Sequence, residues 1–562
     1  MTGSERLAKA GRLPFHVQVM RRLSARETPG PVCRVAVRHR IEVPAADGIP
    51  LLTDHYIPAM EEPRPALLIR SPYGRGFPWD YVYGAQFAAQ GFHVLVQSCR
   101  GTSGSGGTFE PWRNERADGR ATVVWLRQQP WFSGALGTIG TSYLGYAAWA
   151  LAADLPPELR AVVADGSADP GPFFYPGGAF ALEGALVGAV GYLVLQRGLA
   201  SATRAMLRLR RRLGKVAQTL PLIDAYPAAL SGRAEMFEQW LTNPYPAGQY
   251  WNGLNLGTAT ARVAVPVSLV TGWDDVQLDQ TLDQYRRLHS EGSDVRLIVG
   301  PWNHTSIFDK GWPTVFPRAL NDLRAALSGD PGNPSDPPVR IHVGGSGEWR
   351  DLPEWPPSQV HAQPWYLDTD GALRDQPPTQ AGASSFRYDP SDPTPSVGGP
   401  LLLASNAGTV DNANLEARGD VLTFTSAPLT EAAEILGPVS VQLSIRASNP
   451  CHDVFARLCD VDPGGYSRNI CDGLIRRQPG DLSADETTII VPMSSTAYRF
   501  SAGHRIRLQV SGGAHPRFAR NTGTTEPPAT ATRLAPTDIA ILHHADAPCT
   551  LTLPVANNSA HL

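Results

Sequence analysis

The apolar positions in the first half of the chain fall into short runs separated by stretches of helical period. Cys33 to Val43 and Ile49 to Ile57 alternate apolar and polar residues across an Asp47-Gly48 turn, the pattern of a half-buried hairpin. Ala66–Ile69 and Phe92–Val96 are continuous apolar runs, as expected of central strands covered on both faces. Tyr81 to Gln90 between them has helical character, and Asp118 to Gln128 predicts a further helix. Another apolar run, Gly134 to Ile139, leads into Gly140-Thr-Ser-Tyr-Leu-Gly145. A helix-forming run, Tyr146–Ala153, leads out, and Ala161–Ala164 reads as the next strand. Strands alternating with helices predict a parallel, doubly wound sheet with helices on both faces.

The alternation stops at Asp169. From there to about Thr260 the pattern is helical and irregular, and it resumes as strands at Val265–Val270 and Val295–Val299. A helical insertion between two strands of such a sheet reads as a cap over the site. Residues 320–338 are rich in Pro, Asp and Gly, as in a linker. Beyond it, runs such as Val339–Val343, Val439–Ile445, Val454–Cys459, Thr488–Val491 and His504–Val510 recur between turn residues, which predicts an all-β sandwich of jelly-roll type. The expected fold is therefore α/β with a helical cap and a C-terminal jelly roll. Its parts are a mobile arm at 1–34, core at 35–168, cap at 169–262, core again at 263–355 and sandwich at 356–562.

Composition narrows the function more than the fold. A chain of 562 residues exceeds one core, and 42% hydrophobic with 18% charged residues is ordinary for a soluble globular protein. The net charge of −3 gives no reason to expect nucleic acid or an anionic membrane as partner. The basic run Arg204 to Lys215 reads as a solvated helix face. Six scattered cysteines with no C-x-x-C and no paired histidines predict reduced thiols, no metal site and no cofactor; a disulfide among Cys451, Cys459 and Cys471 is the alternative in an exported protein. The first 30 residues lack an apolar core fit for a signal peptide, and Ala181 to Leu195 is too short to span a bilayer, so the expected location is the cytoplasm. A homo-oligomer is compatible with the sequence.

Strand, small-residue turn and helix with Ser142 at the apex is the plan of a nucleophile elbow, although a serine between glycines is more often a plain turn. A serine hydroxyl needs a base to take its proton and a carboxylate to orient the base. Both follow in the order Ser, Asp, His. The strand 265–270 runs into Thr271-Gly-Trp-Asp-Asp275, and 295–299 runs into Gly300-Pro-Trp-Asn-His304. Loops at the carboxyl ends of parallel strands are where a doubly wound sheet gathers its site. The residues alone leave Asp274 and Asp275 as candidates for the acid.

These three motifs resemble those of the cocaine esterase and X-Pro dipeptidyl-peptidase family (CocE/NonD hydrolases). So do Arg70-Ser-Pro-Tyr-Gly74, the Cys99–Gly106 loop, Asp460–Asn469, Gly503–Val510 and His515–Asn521, and the likeness covers roughly 35 to 555. The resemblance implies an α/β-hydrolase core, a helical cap and a C-terminal jelly roll. It implies Ser142 as nucleophile, His304 as general base then acid, and Asp275 as orienting carboxylate, with Asp274 as a solvated or capping residue. The oxyanion hole would be the backbone N–H of Tyr143 and the hydroxyl of Tyr73. Gln97-Ser-Cys99 departs from the family's acidic residue before Arg-Gly, and the N-terminal arm has no counterpart.

The expected substrate is a small-molecule ester or amide. A carboxylic ester is preferred, with amide or peptide hydrolysis second and acyl transfer third; a binding module with a vestigial site is the reading from another class. Dipeptidyl-peptidases need carboxylates for a free substrate amine, and Glu183 is the one cap candidate, although packing suits it better. Phe173, Phe174, Tyr175 and Phe180, with Leu182, suggest an apolar or aromatic acyl pocket.

Overall fold

The computed structural model describes residues 11–23, 28–194, 196, 199–230, 232–329, 336–403, 407–478 and 486–557. Eleven strands form the first sheet: β1 (Gly11–Arg12), β2 (Val35–Pro44), β3 (Pro50–Pro58), β4 (Arg64–Ser71), β5 (His93–Ser98), β6 (Phe132–Thr141), β7 (Leu159–Asp165), β8 (Val267–Asp274), β9 (Val295–Asn303), β10 (Val339–Val343) and β11 (Glu348–Leu352). Their order is β1-β2-β3-β5-β4-β6-β7-β8-β9-β10-β11. From β5 to β10 all neighbours run parallel, and antiparallel strands finish both edges. The apolar runs read from the sequence occupy the centre of this sheet. Ala66, Leu67, Leu68, Ile69, Val94, Leu95 and Val96 are essentially inaccessible, as strands covered on both faces must be.

Four helices follow their strands on the sheet faces: α1 (Phe15–Leu23), α2 (Glu115–Leu126), α3 (Tyr143–Ala152) and, after the cap helices α4 (Leu182–Val194) and α5 (Leu199–Ala217), α6 (Leu278–Ser290). A further helix, α7 (Trp312–Ser328), packs on the sheet through Leu323 and Leu327, which lie against Gly137 of β6. All ten residues of α3 are buried, so this helix is apolar all round and packs inside the molecule. On α5, by contrast, Arg204, Arg208, Arg210, Arg211, Arg212 and Lys215 face solvent while Leu209 and Leu213 face inward. Between 169 and 262 the described residues contain helices and turns and no strand.

Three expectations are corrected. The N-terminal arm was expected to be mobile, but Gly11–Arg12 pairs with Ala36 and Val37. Leu13, just before α1, and Val17 within it are buried, and each such apolar side chain contributes about 1.5–3 kcal/mol on burial. His16 also meets the Asp80 carboxylate at 2.7 Å. Residues 1–10 and 24–27 of that arm lie outside the described residues. The stretch expected as a linker from 320 begins nine residues into α7, because the prolines and glycines that suggested it cluster after Ser328. Val339–Val343 shares the sandwich strands' pattern and is grouped with them on that ground, but it lies inside the expected core segment 263–355 and pairs parallel to β9 in the first sheet.

The second unit comprises β12 (Val360–Leu367), β13 (Leu373–Arg374), β14 (Gly382–Tyr388), β15 (Val421–Thr425), β16 (Ala433–Ala447), β17 (His452–Val461), β18 (Ser467–Arg477), β19 (Thr487–Phe500), β20 (Arg505–Ser511), β21 (Thr537–His543) and β22 (Thr550–Ala556). They form two packed sheets, β13-β12-β22-β16-β21-β14 with β19 on β16, and β15-β20-β17-β18. Their inward apolar positions make a core of their own. The two units are joined by a bridge between Gly344 and Tyr498. Among the described residues no helix is long and apolar enough to cross a membrane.

Candidate active site

The elbow is built from close approaches. Ser142 sits between β6 and α3 at φ 58°, ψ −124°, a left-handed conformation that costs a non-glycine residue about 1–3 kcal/mol and persists only when its surroundings impose it. They do so through its N–H, which donates to the carbonyls of Asp165 at 2.9 Å and Gly166 at 3.2 Å. A Cβ on Gly140 would lie 2.4 Å from the Leu144 carbonyl carbon, and one on Gly145 would lie 2.7 Å from Ser167 Cβ. Only glycine lets the strand and helix pass this closely. Tyr143 opens α3, so its N–H belongs to the first turn and has no acceptor within the helix.

The Tyr143 side chain turns back into the protein. Its hydroxyl donates to Glu115 Oε1 at 2.8 Å and accepts from the Trp112 N–H at 2.7 Å. Glu115 is paired in turn with Arg70 at 2.9 Å, both almost fully buried. A buried pair of this kind contributes little net stability when intact, yet losing one partner strands a charge.

His304 follows β9 and Asp275 follows β8. The His304 Nδ1–H donates to Asp275 Oδ1 at 2.8 Å. A carboxylate acceptor at Nδ1 selects the tautomer that leaves Nε2 unprotonated. The Asp275 carboxylate also accepts from the Gln277 N–H at 2.9 Å and from the Thr271 hydroxyl at 3.3 Å. Gly166, at φ 43°, makes room for it: a Cβ there would lie 2.5 Å from Asp275 Oδ2. Asp274, the sequence alternative, lines a separate cavity of about 470 Å³ with Asp460, Tyr498 and His504 of the sandwich. Burial, with the nearby charge of Asp472, pushes its carboxyl up to about 6.

Tyr73 comes from the turn after β4, where its N–H donates to Ser71 Oγ at 3.1 Å. Its ring stacks between Trp79 (6.1 Å) and Tyr192 (5.7 Å). Burial pushes the pKa of its hydroxyl up to about 12, which keeps it a proton donor near neutrality.

Ser142, Tyr73, Tyr143 and His304 line one cavity of about 340 Å³ between sheet and cap. Of the four aromatic residues proposed for the pocket from sequence, Phe173 and Phe174 line it. Tyr175 and Phe180 do not. The Tyr175 hydroxyl donates to the Trp240 carbonyl at 3.0 Å, and Phe180 packs on Phe174 and Phe237, so both belong to the core of the cap. Sequence reasoning missed Trp79, Trp112, Tyr192, Met206 and Leu402, which also line the cavity. An aromatic in an apolar run reads as core, and nothing in the local pattern says that it faces a void. Among the described residues that line the cavity there is no Asp, Glu, Lys or Arg. Glu183 is buried nearby with its carboxylate accepting from the N–H groups of Leu402 at 3.2 Å and Leu403 at 2.8 Å.

Residues 47–306 match the X-Pro dipeptidyl-peptidase (S15 family), and residues 332–552 match the X-Pro dipeptidyl-peptidase C-terminal non-catalytic domain. The chain is 30% identical over 544 residues to a cocaine esterase from Rhodococcus sp. (strain MB1 Bresler), covering 87% of this chain and 93% of the esterase. Among solved structures, an α-amino acid ester hydrolase superposes with a TM-score of 0.79 at 22% identity, over 94% of this chain and 98% of that one. An aminopeptidase from a marine sediment archaeon (Thaumarchaeota archaeon) superposes at 0.78 and 21%, with the same coverage. The likeness to these two is one of fold.

Proposed function

The chain belongs to the cocaine esterase and X-Pro dipeptidyl-peptidase (S15) family of serine hydrolases, and from that premise we propose that it cleaves uncharged carboxylic esters through an acyl-enzyme on Ser142. Ser142 Oγ attacks the ester carbonyl while His304 Nε2 takes its proton. Asp275 holds the imidazole in the required tautomer and stabilises the imidazolium that forms. The developing oxyanion is met by the Tyr143 N–H and the Tyr73 hydroxyl. Collapse of the tetrahedral adduct expels the alcohol, which receives the proton from His304. Water then repeats the sequence on the acyl-enzyme and releases the acid.

The observation that carries the ester preference is that the described residues lining the cavity include no charged side chain. A peptidase that reads a free α-amino group must bury an ammonium ion, and burying such a charge unpaired is costly enough to exclude it. Glu183, a buried carboxylate of the cap next to the lining residue Gly184, is already engaged by two backbone N–H groups. Aromatic and aliphatic walls suit an apolar acyl group.

The test is labelling by a fluorophosphonate, followed by rates on p-nitrophenyl esters and on an Xaa-Pro anilide. Labelling of the wild type that disappears in Ser142→Ala supports the nucleophile, and labelling that survives the substitution removes it. Faster turnover of the anilide than of every neutral ester would overturn the ester assignment in favour of amide hydrolysis.

A further inference from the structure

Gln277 caps the N-terminus of α6, two residues after Asp275. Its backbone groups are both used. The N–H donates to Asp275 Oδ1 at 2.9 Å, and the carbonyl accepts from the hydroxyl and the N–H of Thr281, each at 3.0 Å. The side chain is a different matter. A polar N-cap side chain ordinarily accepts from a free N–H of the first turn, and this one makes no such bond. Its Oε1 is enclosed without a hydrogen-bond partner among the described residues, in a residue only 8% exposed. Gln277 nevertheless lines the catalytic cavity, as do its neighbour Val276 and His304.

Several other polar side chains of the lining are already engaged. The Tyr143 hydroxyl is held by Glu115 and the Trp112 N–H. The Tyr146 hydroxyl donates to the Leu254 carbonyl at 2.6 Å, and that of Thr305 to Asn303 Oδ1 at 3.1 Å. A buried amide without a partner forfeits the hydration it had in the unfolded chain, a loss that leucine or methionine of similar volume would not incur. A polar group on a bound substrate restores what burial removes, and only substrates that carry such a group benefit. The terminal torsion of a glutamine is soft and roughly two-fold, so either end of the amide can turn to meet the ligand.

We infer that the Gln277 carboxamide determines specificity by hydrogen-bonding a neutral hydroxyl or amide group on the substrate, so that the favoured esters carry such a group on their acyl or alcohol part. Either group both donates and accepts, and so matches either end of the carboxamide. No charged side chain occurs among the described residues that line the cavity, so the group it reads is uncharged. The inference rests on the proposed ester hydrolysis at Ser142 and narrows it to a class within the uncharged esters.

The test compares pairs of esters in which a methyl group replaces a hydroxyl. On the acyl side these are the p-nitrophenyl esters of β-hydroxybutyric and isovaleric acid. On the alcohol side they are the monobutyrate of ethylene glycol and the butyrate of n-propanol. Each kcat/KM is divided by the rate of the same ester in hydroxide, and the hydroxyl-to-methyl ratio is taken for wild type and for Gln277→Met. In one arm the wild-type ratio should exceed unity and should fall about tenfold in the variant, the worth of one neutral hydrogen bond. The arm that responds shows which part of the ester carries the group. The ratio is read, and not the rate, because the Gln277 N–H also holds Asp275. The melting temperature of Gln277→Met should not fall, since the amide has no partner to lose. A wild-type ratio below unity in both arms would overturn the inference, and that comparison stands even if the variant does not fold. A ratio that Gln277→Met leaves unmoved would overturn it as well. Failure of the functional reading looks different: none of these esters would be turned over, with or without its hydroxyl, and the wild type would take up no fluorophosphonate.

Discussion

The negative charge of Asp275 falls on a second buried carboxyl, that of Asp165 at the end of the neighbouring strand β7. Asp165 Oδ2 accepts from the Thr141 hydroxyl at 3.1 Å, and Thr141 Oγ1 lies 3.0 Å from the Tyr83 hydroxyl. Its Oδ1 is buried without a partner. Burial, reinforced by Asp275, pushes the Asp165 carboxyl up to about 7.

A carboxyl that titrates higher in the folded than in the unfolded protein destabilises the fold once the unfolded chain ionises. The cost is absent below about pH 4, grows from there to about pH 7, and is complete above. At its upper bound it is about 4 kcal/mol, three pKa units at 1.36 kcal/mol each. Asp165→Asn removes the titration and keeps an acceptor for Thr141. The melting temperature of the variant relative to wild type should therefore rise between pH 4.5 and pH 8. A pH-independent difference would show that Asp165 stays ionised throughout.

Asp275 and Asp274 are adjacent in sequence and opposite in surroundings. Asp275→Asn should lower kcat by about 10⁴-fold, because the amide no longer selects the tautomer with Nε2 free. Asp274→Asn, facing the other cavity, should leave kcat within about twofold, since substitutions remote from the chemistry seldom exceed a few tenths of a kcal/mol. Rates on one neutral ester decide both.

Gly166 lies against the Asp275 carboxylate and the His304 ring. In Gly166→Ala the new Cβ would fall 2.5 Å from Asp275 Oδ2, at a φ of 43° that alanine tolerates poorly. Displacing the carboxylate from His304 should reduce kcat by about a hundredfold, since misplacing a catalytic group by about 1 Å costs that much. KM for the same ester should change little.

Far from the site, His55 Nε2 and His93 Nδ1 meet at 2.9 Å beneath the Trp131 ring. Burial first, then the neighbouring His93 and Arg38, hold the His55 pKa well below its ordinary value. The unfolded chain takes up a proton near pH 6.5 and the folded protein does not, so stability is lost as pH falls below about 6.5, at up to 1.36 kcal/mol per pH unit. Replacing His55 with Gln should flatten the fall of melting temperature between pH 7 and pH 5. An unchanged slope would assign acid sensitivity elsewhere.

What the sequence revealed depended on distance along the chain. The central strands were legible because Ala66–Ile69, Val94–Val96 and Ala161–Ala164 carry their burial in their own composition. The motifs around Ser142, Asp275 and His304 were legible because each is a contiguous loop following such a strand. Helix α7 was obscured by Pro317 inside it and by the proline cluster beyond Ser328. The docked N-terminal segment was obscured because two buried residues, Leu13 and Val17, make no periodic signal. Tyr192 and Trp112 could not be assigned to the cavity, nor Tyr175 and Phe180 excluded from it. Which side of an aromatic faces a void is decided by partners many tens of residues away, as with the Tyr175 hydroxyl and the Trp240 carbonyl.

The carboxylate of Glu183 clasps the backbone of Leu402 and Leu403, and Leu402 forms part of the cavity wall. The C-terminal unit is therefore not a detachable module. A chimera that exchanged it for a relative's version would graft a foreign side chain onto the cavity wall and set the two N–H groups that Glu183 engages on a foreign stretch of backbone. Recombination of this enzyme with its homologues should preserve selectivity only where the Glu183 helix and the 402–403 segment are inherited together.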